Sequence, residues 1–288
     1  MNWRKTAIVT IAVLTVIGFG GTIYAIFNIG KSLMEEPQRE VLDGARANCN
    51  STDPDVSIPA CTTILQSSQE KGDQAYAHLQ RGLAYQRKND PDHAIQDDTD
   101  AIRLMPREYI AYVHRGDAYQ QKGDLQHALA DYDQAIQFDP EMTVAYVNRS
   151  SIYILQGETA KAIEDAGRAI HLEPSNSMAW NNRCYFRAIA GELDDALADC
   201  NRSLVLQPDL PATLDSRGFT YLKKKQYDLA IADYDRALSQ DAKLAPSLYG
   251  RSLARRATRQ SAAARADLDA AVKIDPKIVE TFRKYGVS

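Results

Sequence analysis

The stretch AYVHRGDAYQQKGDLQHALADYDQAIQFDP, Ala111–Pro140, decides the fold. Gly116 and Tyr119 belong to a first helix, and Gly123 marks a turn. Ala128 and Ala135, one face of a second helix, follow, and Pro140 ends it. The same reading returns along the chain. Pro106, Pro140, Pro174 and Pro208 are each 34 residues apart, and two further steps reach Ala242 and Pro276. Aligned on this period, six repeats occupy 75–108, 109–142, 143–176, 177–210, 211–244 and 245–278.

Other columns keep the same step. Ala94, Ala128, Ala162, Ala196, Ala230 and Ala264 fill one without exception. Ala101, Ala135, Ala169, Ser203, Ala237 and Ala271 fill a second. Gly82, Gly116, Ser150, Cys184, Gly218 and Ser252 keep a third small, while Tyr85, Tyr119, Tyr153 and Tyr221 occupy a fourth. Small residues let two antiparallel helices approach closely, and the tyrosines fill the space beside them.

The period and these columns resemble the tetratricopeptide repeat family over Ala75–Pro276, about seven-tenths of the chain. The resemblance implies an all-α, right-handed superhelical solenoid of helix pairs with a concave binding face. The stretches SLYGRSLARR and ETFRKYG also look like an uncharacterised group of bacterial envelope repeat proteins. Residues 277–288, with Ile278, Phe282 and Tyr285, read as a C-terminal capping helix. Residues 57–74 read as a half-repeat cap before the first repeat, and 31–56 as a polar linker.

Thr6–Gly30 contains no charged residue and is long enough, as a helix, to cross a ~30 Å hydrocarbon core. It reads as an uncleaved signal anchor within 1–30; a cleaved signal is the alternative. Arg4 and Lys5 give the preceding flank the denser positive charge, so the N-terminus is expected in the cytoplasm and the repeats in the periplasm or outside.

One departure from the family pattern is systematic. Arg81, Arg115, Arg149, Arg183, Arg217 and Arg251 stand where an apolar residue is usual. Sixteen residues later come Asp97, Asp131, Asp165, Asp199, Asp233 and Asp267. A partly buried arginine needs a carboxylate, so the two columns read as a structural ladder; an arginine row binding an anionic ligand is the alternative. Four cysteines suggest two bridges in an oxidising compartment, Cys49 with Cys61 and Cys184 with Cys200; buried free thiols are the alternative.

Basic residues total 34 against 38 acidic ones, for a net charge of -4, which offers no footing for nucleic acid. There is no catalytic motif, phosphate loop or zinc-ligand spacing, so neither enzymatic activity nor a metal or other cofactor is expected.

What remains is protein binding. In each first helix the stripe at offsets two, five, nine and twelve is expected to line the concave face. It holds Leu79 and Leu83 in repeat one, Val113 and Asp117 in repeat two, and Val147 and Ser151 in repeat three. Asn181 and Tyr185, with Asn182 beside them, represent repeat four, and Asp215 and Phe219 repeat five. The expected function is a membrane-tethered scaffold that captures a partner's peptide segment or helix in this groove. A self-associating structural subunit of an envelope complex is the alternative.

Overall fold

The computed structural model describes residues 40–287, and every regular element among them is helical. A helix over 40–49 (α1) is followed by α2 (Pro54–Ser67), α3 (Lys71–Arg87), α4 (Pro91–Leu104) and α5 (Tyr109–Lys122). Then come α6 (Leu125–Phe138), α7 (Thr143–Gln156), α8 (Thr159–Leu172), α9 (Ser177–Ala190) and α10 (Leu193–Leu206). The chain ends in α11 (Pro211–Lys223), α12 (Tyr227–Gln240), α13 (Ala245–Ala257), α14 (Ser261–Ile274) and the short α15 (Ile278–Lys284). The helices form two compact bodies, one running to Lys122 and one from Gly123. Repeat two thus gives α5 to the first body and α6 to the second.

Local chemistry sets the helix ends. Gly157 and Gly191 end α7 and α9 in the left-handed conformation, which costs glycine nothing. Asp90, Asp53 and Asn176 accept backbone N–H bonds at the starts of α4, α2 and α9. Pro91 and Pro211 take first-turn positions, where the missing N–H has no intrahelical partner to lose.

The alanine columns are the contact surface inside each pair: Ala94, Ala101, Ala162, Ala169, Ala196, Ala230, Ala237 and Ala271 have no measurable exposure. Packing is tight around Tyr234 of α12, which is fully buried. A Cβ on Gly218 would lie 2.8 Å from its ring, and one on Gly250 would collide with its hydroxyl. Repeat five therefore admits a tyrosine between α11 and α13 only because both helices present hydrogen there.

Two expectations need correction. The membrane-anchored envelope form is not carried forward: among the described residues no helix is long and apolar enough to cross a membrane. The expected span, Thr6–Gly30, lies outside the described residues. Tethering through an N-terminal helix, and the periplasmic location deduced from it, are withdrawn with it. The polar linker over 31–56 is also revised where it is described, because 40–49 is helical. Leu42, Ala45 and Cys49 recur at helical spacing and pack on Cys61, Ile64 and Ala77, so α1 and α2 form a full helix pair ahead of repeat one.

The glycine requirement has a direct test. Gly250→Ala should destabilise the protein by about 1–3 kcal/mol, as overpacking does. Gly72→Ala, in open space within α3, should leave the melting temperature level or raise it slightly. Equal melting temperatures for the Gly250 variant and wild type would refute the packing.

Candidate functional site

The arginine and aspartate columns meet in space. Arg149 donates from Nε and Nη2 to the two carboxylate oxygens of Asp165, at 2.7 and 2.8 Å. Arg81–Asp97, Arg183–Asp199, Arg217–Asp233 and Arg251–Asp267 repeat this two-pronged bond. The aspartates of these pairs are buried. Arg115 lies in the first body and Asp131 in the second, and each is engaged.

The third arm of the guanidinium reaches a different repeat. Arg149 Nη1 donates to Asp133 at 2.6 Å, Arg217 to Asn201 at 2.8 Å and Arg251 to Asp235 at 2.7 Å, and Arg115 donates to Thr99 at 3.1 Å. These acceptors stand sixteen residues before each arginine, on the preceding second helix. At Arg183 that position is Gly167, and the guanidinium instead lies 4.9 Å from the Trp180 ring centre. Each arginine is thereby committed to structure. Around Asp97, burial pushes the carboxyl up, but bonds from Arg81 and His78 outweigh it and hold the group below its ordinary value. His78, Asp97 and Asp100 lie close enough to suggest a metal triad, yet Arg81 already occupies Asp97. His93 and His127 share a column because each sits beside the aspartate that caps its helix, Asp90 and Asp124.

Two disulfides join Cys49 to Cys61 and Cys184 to Cys200. The first links α1 to α2, and the second links the two helices of repeat four.

The residues expected to line a groove divide into three groups. In the first body Leu79, Leu83 and Asp117 are half-buried, and Val113 is buried. Val147 and Ser151 are half-buried on α7, where the Ser151 hydroxyl donates to the Val147 carbonyl. Phe219, Leu222, Tyr249 and Leu253 are buried, so they are not the exposed row that spacing suggests. Their cover is the chain's own C-terminal segment. Phe282 packs edge-on against Phe219 at 5.6 Å and Tyr249 at 4.8 Å, and Tyr285 packs edge-on against Tyr185 at 6.1 Å. Lys223 donates to the carbonyls of Ala188, Ile189 and Tyr285, and Lys284 to that of Leu155. The segment from Ile278 thus caps the last repeat and continues across the first helices of earlier ones.

Beyond this cover the face stays open. Asn181, Asn182 and Tyr185 of α9, Asp215 and Ser216 of α11, Leu244 just before α13 and Pro246 in its first turn line a cavity of about 300 Å³. Asn181 is buried, and its Oδ1 has no hydrogen-bond partner. The Tyr234 hydroxyl is buried and unpartnered too. Asp215 accepts a hydrogen bond from Ser247 Oγ at 2.5 Å, and burial pushes its carboxyl up to about 6 although that bond pulls it back. Burial also holds the Tyr185 phenol well above its ordinary range. A larger cleft between α13, α14 and α15 carries Arg256, Arg265 and Arg283, all exposed on its rim.

Residues 109–142, 151–211 and 213–244 each match a model of the tetratricopeptide repeat. Among solved structures, the chain is similar to a tetratricopeptide repeat protein from Parabacteroides merdae, with a TM-score of 0.69 at 16% identity over 87% of this chain and 99% of that one. PilF of Pseudomonas aeruginosa superposes with a TM-score of 0.61 at 17% identity, covering 74% of this chain and 99% of its own. PilW, described as a type IV pilus biogenesis factor, gives 0.63 at 20% identity, covering 72% and 98%. No curated protein matches the chain. At these identities the likeness establishes the fold. Each of the three matched stretches is described as a tetratricopeptide repeat.

Two outcomes follow from this geometry. Arg149→Ala strands the buried Asp165 and should cost on the order of 3 kcal/mol in a denaturant titration. Gly167→Asp should instead raise the melting temperature by supplying the acceptor that Arg183 lacks; no gain there, with no loss at Arg149, would contradict the ladder's role. Asp215 titrates near 6 in the fold against ~3.9 unfolded, so its stabilising contribution is complete below pH ~4 and lost as pH rises through 6. Asp215→Asn should therefore raise the melting temperature at pH 7.5 and leave it nearly unchanged at pH 4, and the reverse order would show the carboxylate to be satisfied.

Proposed function

Because three stretches of this chain carry tetratricopeptide repeats in sequence and fold, we propose that it is a protein-interaction scaffold whose C-terminal body receives a segment of a partner protein. The docking place is the open end of the face formed by α9, α11 and α13, around Asn181, Asn182, Tyr185 and Asp215.

The observation that carries this reading is the seating of the chain's own C-terminal segment. Phe282 and Tyr285 lie on aromatic side chains of three successive first helices. The face is thus shaped to accept a short segment presenting apolar side chains at helical spacing. The segment stops short of the cavity at Asn181, which stays open next to it. Leu244, Pro246 and Ala212 supply the apolar wall, while Asn181, Asn182 and Asp215 supply the few polar groups that fix direction in a mainly apolar site. Self-association through this same face is the second reading, since a second copy's C-terminal segment carries the same aromatics.

A photoreactive amino acid at position 182 should crosslink a partner in cells, whereas the same group at Gln126, exposed on the second helix α6, should not. Equal yields at both positions, or capture only at 126, would move the site off this face. Capture of the protein's own chain at 182 would select self-association.

A further inference from the structure

Resting on that placement, we propose that the cavity between α9, α11 and α13 is a pocket for a cationic side chain, the ammonium of a lysine or the guanidinium of an arginine, on the docked segment. Two features of the cavity point there, one of charge and one of hydrogen bonding.

The charge is Asp215. No Lys, Arg or His among the described residues lies within ion-pair distance of it, and its one hydrogen bond comes from the neutral Ser247 hydroxyl. Its half-buried carboxyl stays in the upper part of the carboxylate range because nothing positive compensates the lost water. The cations that the C-terminal segment brings together on this face are engaged elsewhere: Lys223 on the carbonyls of Ala188, Ile189 and Tyr285, and Lys284 on that of Leu155. In the ladder, by contrast, Asp165, Asp199, Asp233 and Asp267 each accept hydrogen bonds from an arginine.

The hydrogen bonding is Asn181. It is only 6% exposed, lines the same cavity, and leaves Oδ1 without a donor. A buried amide oxygen of this kind is expensive to leave unsatisfied. Asn181 and Asp215 line the same cavity, which thus carries two acceptor side chains, and an ammonium or guanidinium offers several N–H donors for them. The methylene stem would lie along Leu244, Pro246 and Ala212, as long basic side chains do on apolar walls. A carboxylate or phosphate is excluded by the same two groups, since Asp215 would repel it. An apolar side chain would leave the Asn181 oxygen unpaired and the Asp215 carboxylate without a countercharge.

The test is a selection of random twelve-residue peptides displayed on phage, with the full chain as bait. Pocket occupancy predicts one fixed Lys or Arg in the enriched peptides. Replacing that residue by norleucine or citrulline should weaken binding at least tenfold, and Asp215→Asn and Asn181→Leu in the bait should each remove the preference. Comparing Lys and Arg versions of one peptide tells the ammonium from the guanidinium. Enriched peptides that compete at position 182 but carry no fixed cation, or that bind the Asp215→Asn protein unchanged, overturn the pocket while leaving the docking face intact. No enriched peptide that competes at position 182 overturns both.

Discussion

The interaction on which the rest of the structure depends is the arginine of each first helix. A guanidinium set between helices is costly unless all its donors are used, and its planar fork fixes where the acceptors must be. Two prongs hold the aspartate of the same repeat and the third reaches back to the preceding second helix, as Arg149 does with Asp165 and Asp133. One side chain thereby sets the pairing within a repeat and the stacking between repeats. Such bonds add little net stability over apolar packing, but the wrong register would leave a buried charge unpaired. The alanine columns bring the helices close, and the arginines decide how far each has slid along the other.

With stacking fixed in this way, each first helix keeps one stripe that neither ladder nor alanine column uses, and the proposed docking draws on it. In the C-terminal body that stripe is partly occupied already. Phe282 and Tyr285 cover Phe219, Tyr249 and Tyr185, which would otherwise leave an exposed aromatic row. The open remainder is small, polar on one side and acceptor-rich. It differs in kind from the ladder, where Asp165, Asp199, Asp233 and Asp267 each hold an arginine, and a carboxylate without a countercharge near an unpaired amide oxygen is the feature that a scaffold would reserve for a partner.

Much of this could be read from the sequence. A strict period, alanines in fixed columns and arginines sixteen residues before aspartates are local patterns that repeat, and repetition separates them from chance. The second acceptor of the ladder escaped because its column changes chemistry, running Thr99, Asp133, Gly167, Asn201 and Asp235. Helical spacing put Asn181, Tyr185 and Asp215 on the first-helix stripe, with Asn182 beside it, but spacing cannot say what covers a face. The cover comes from Phe282 and Tyr285, up to a hundred residues away from their contacts, and that is why Phe219 was expected open and is buried. The helix over 40–49 was hidden by polar residues around its few apolar ones, which show their purpose only when Cys49 meets Cys61.

The most direct measurement of where the chain binds is amide hydrogen exchange on the full protein, with and without a saturating peptide partner. Docking on the first-helix face predicts slower exchange in 177–190 and 211–223, with the second helices 159–172 and 193–206 unchanged. Protection confined to those second helices, or to the arginine-rimmed cleft beside α15, would contradict it.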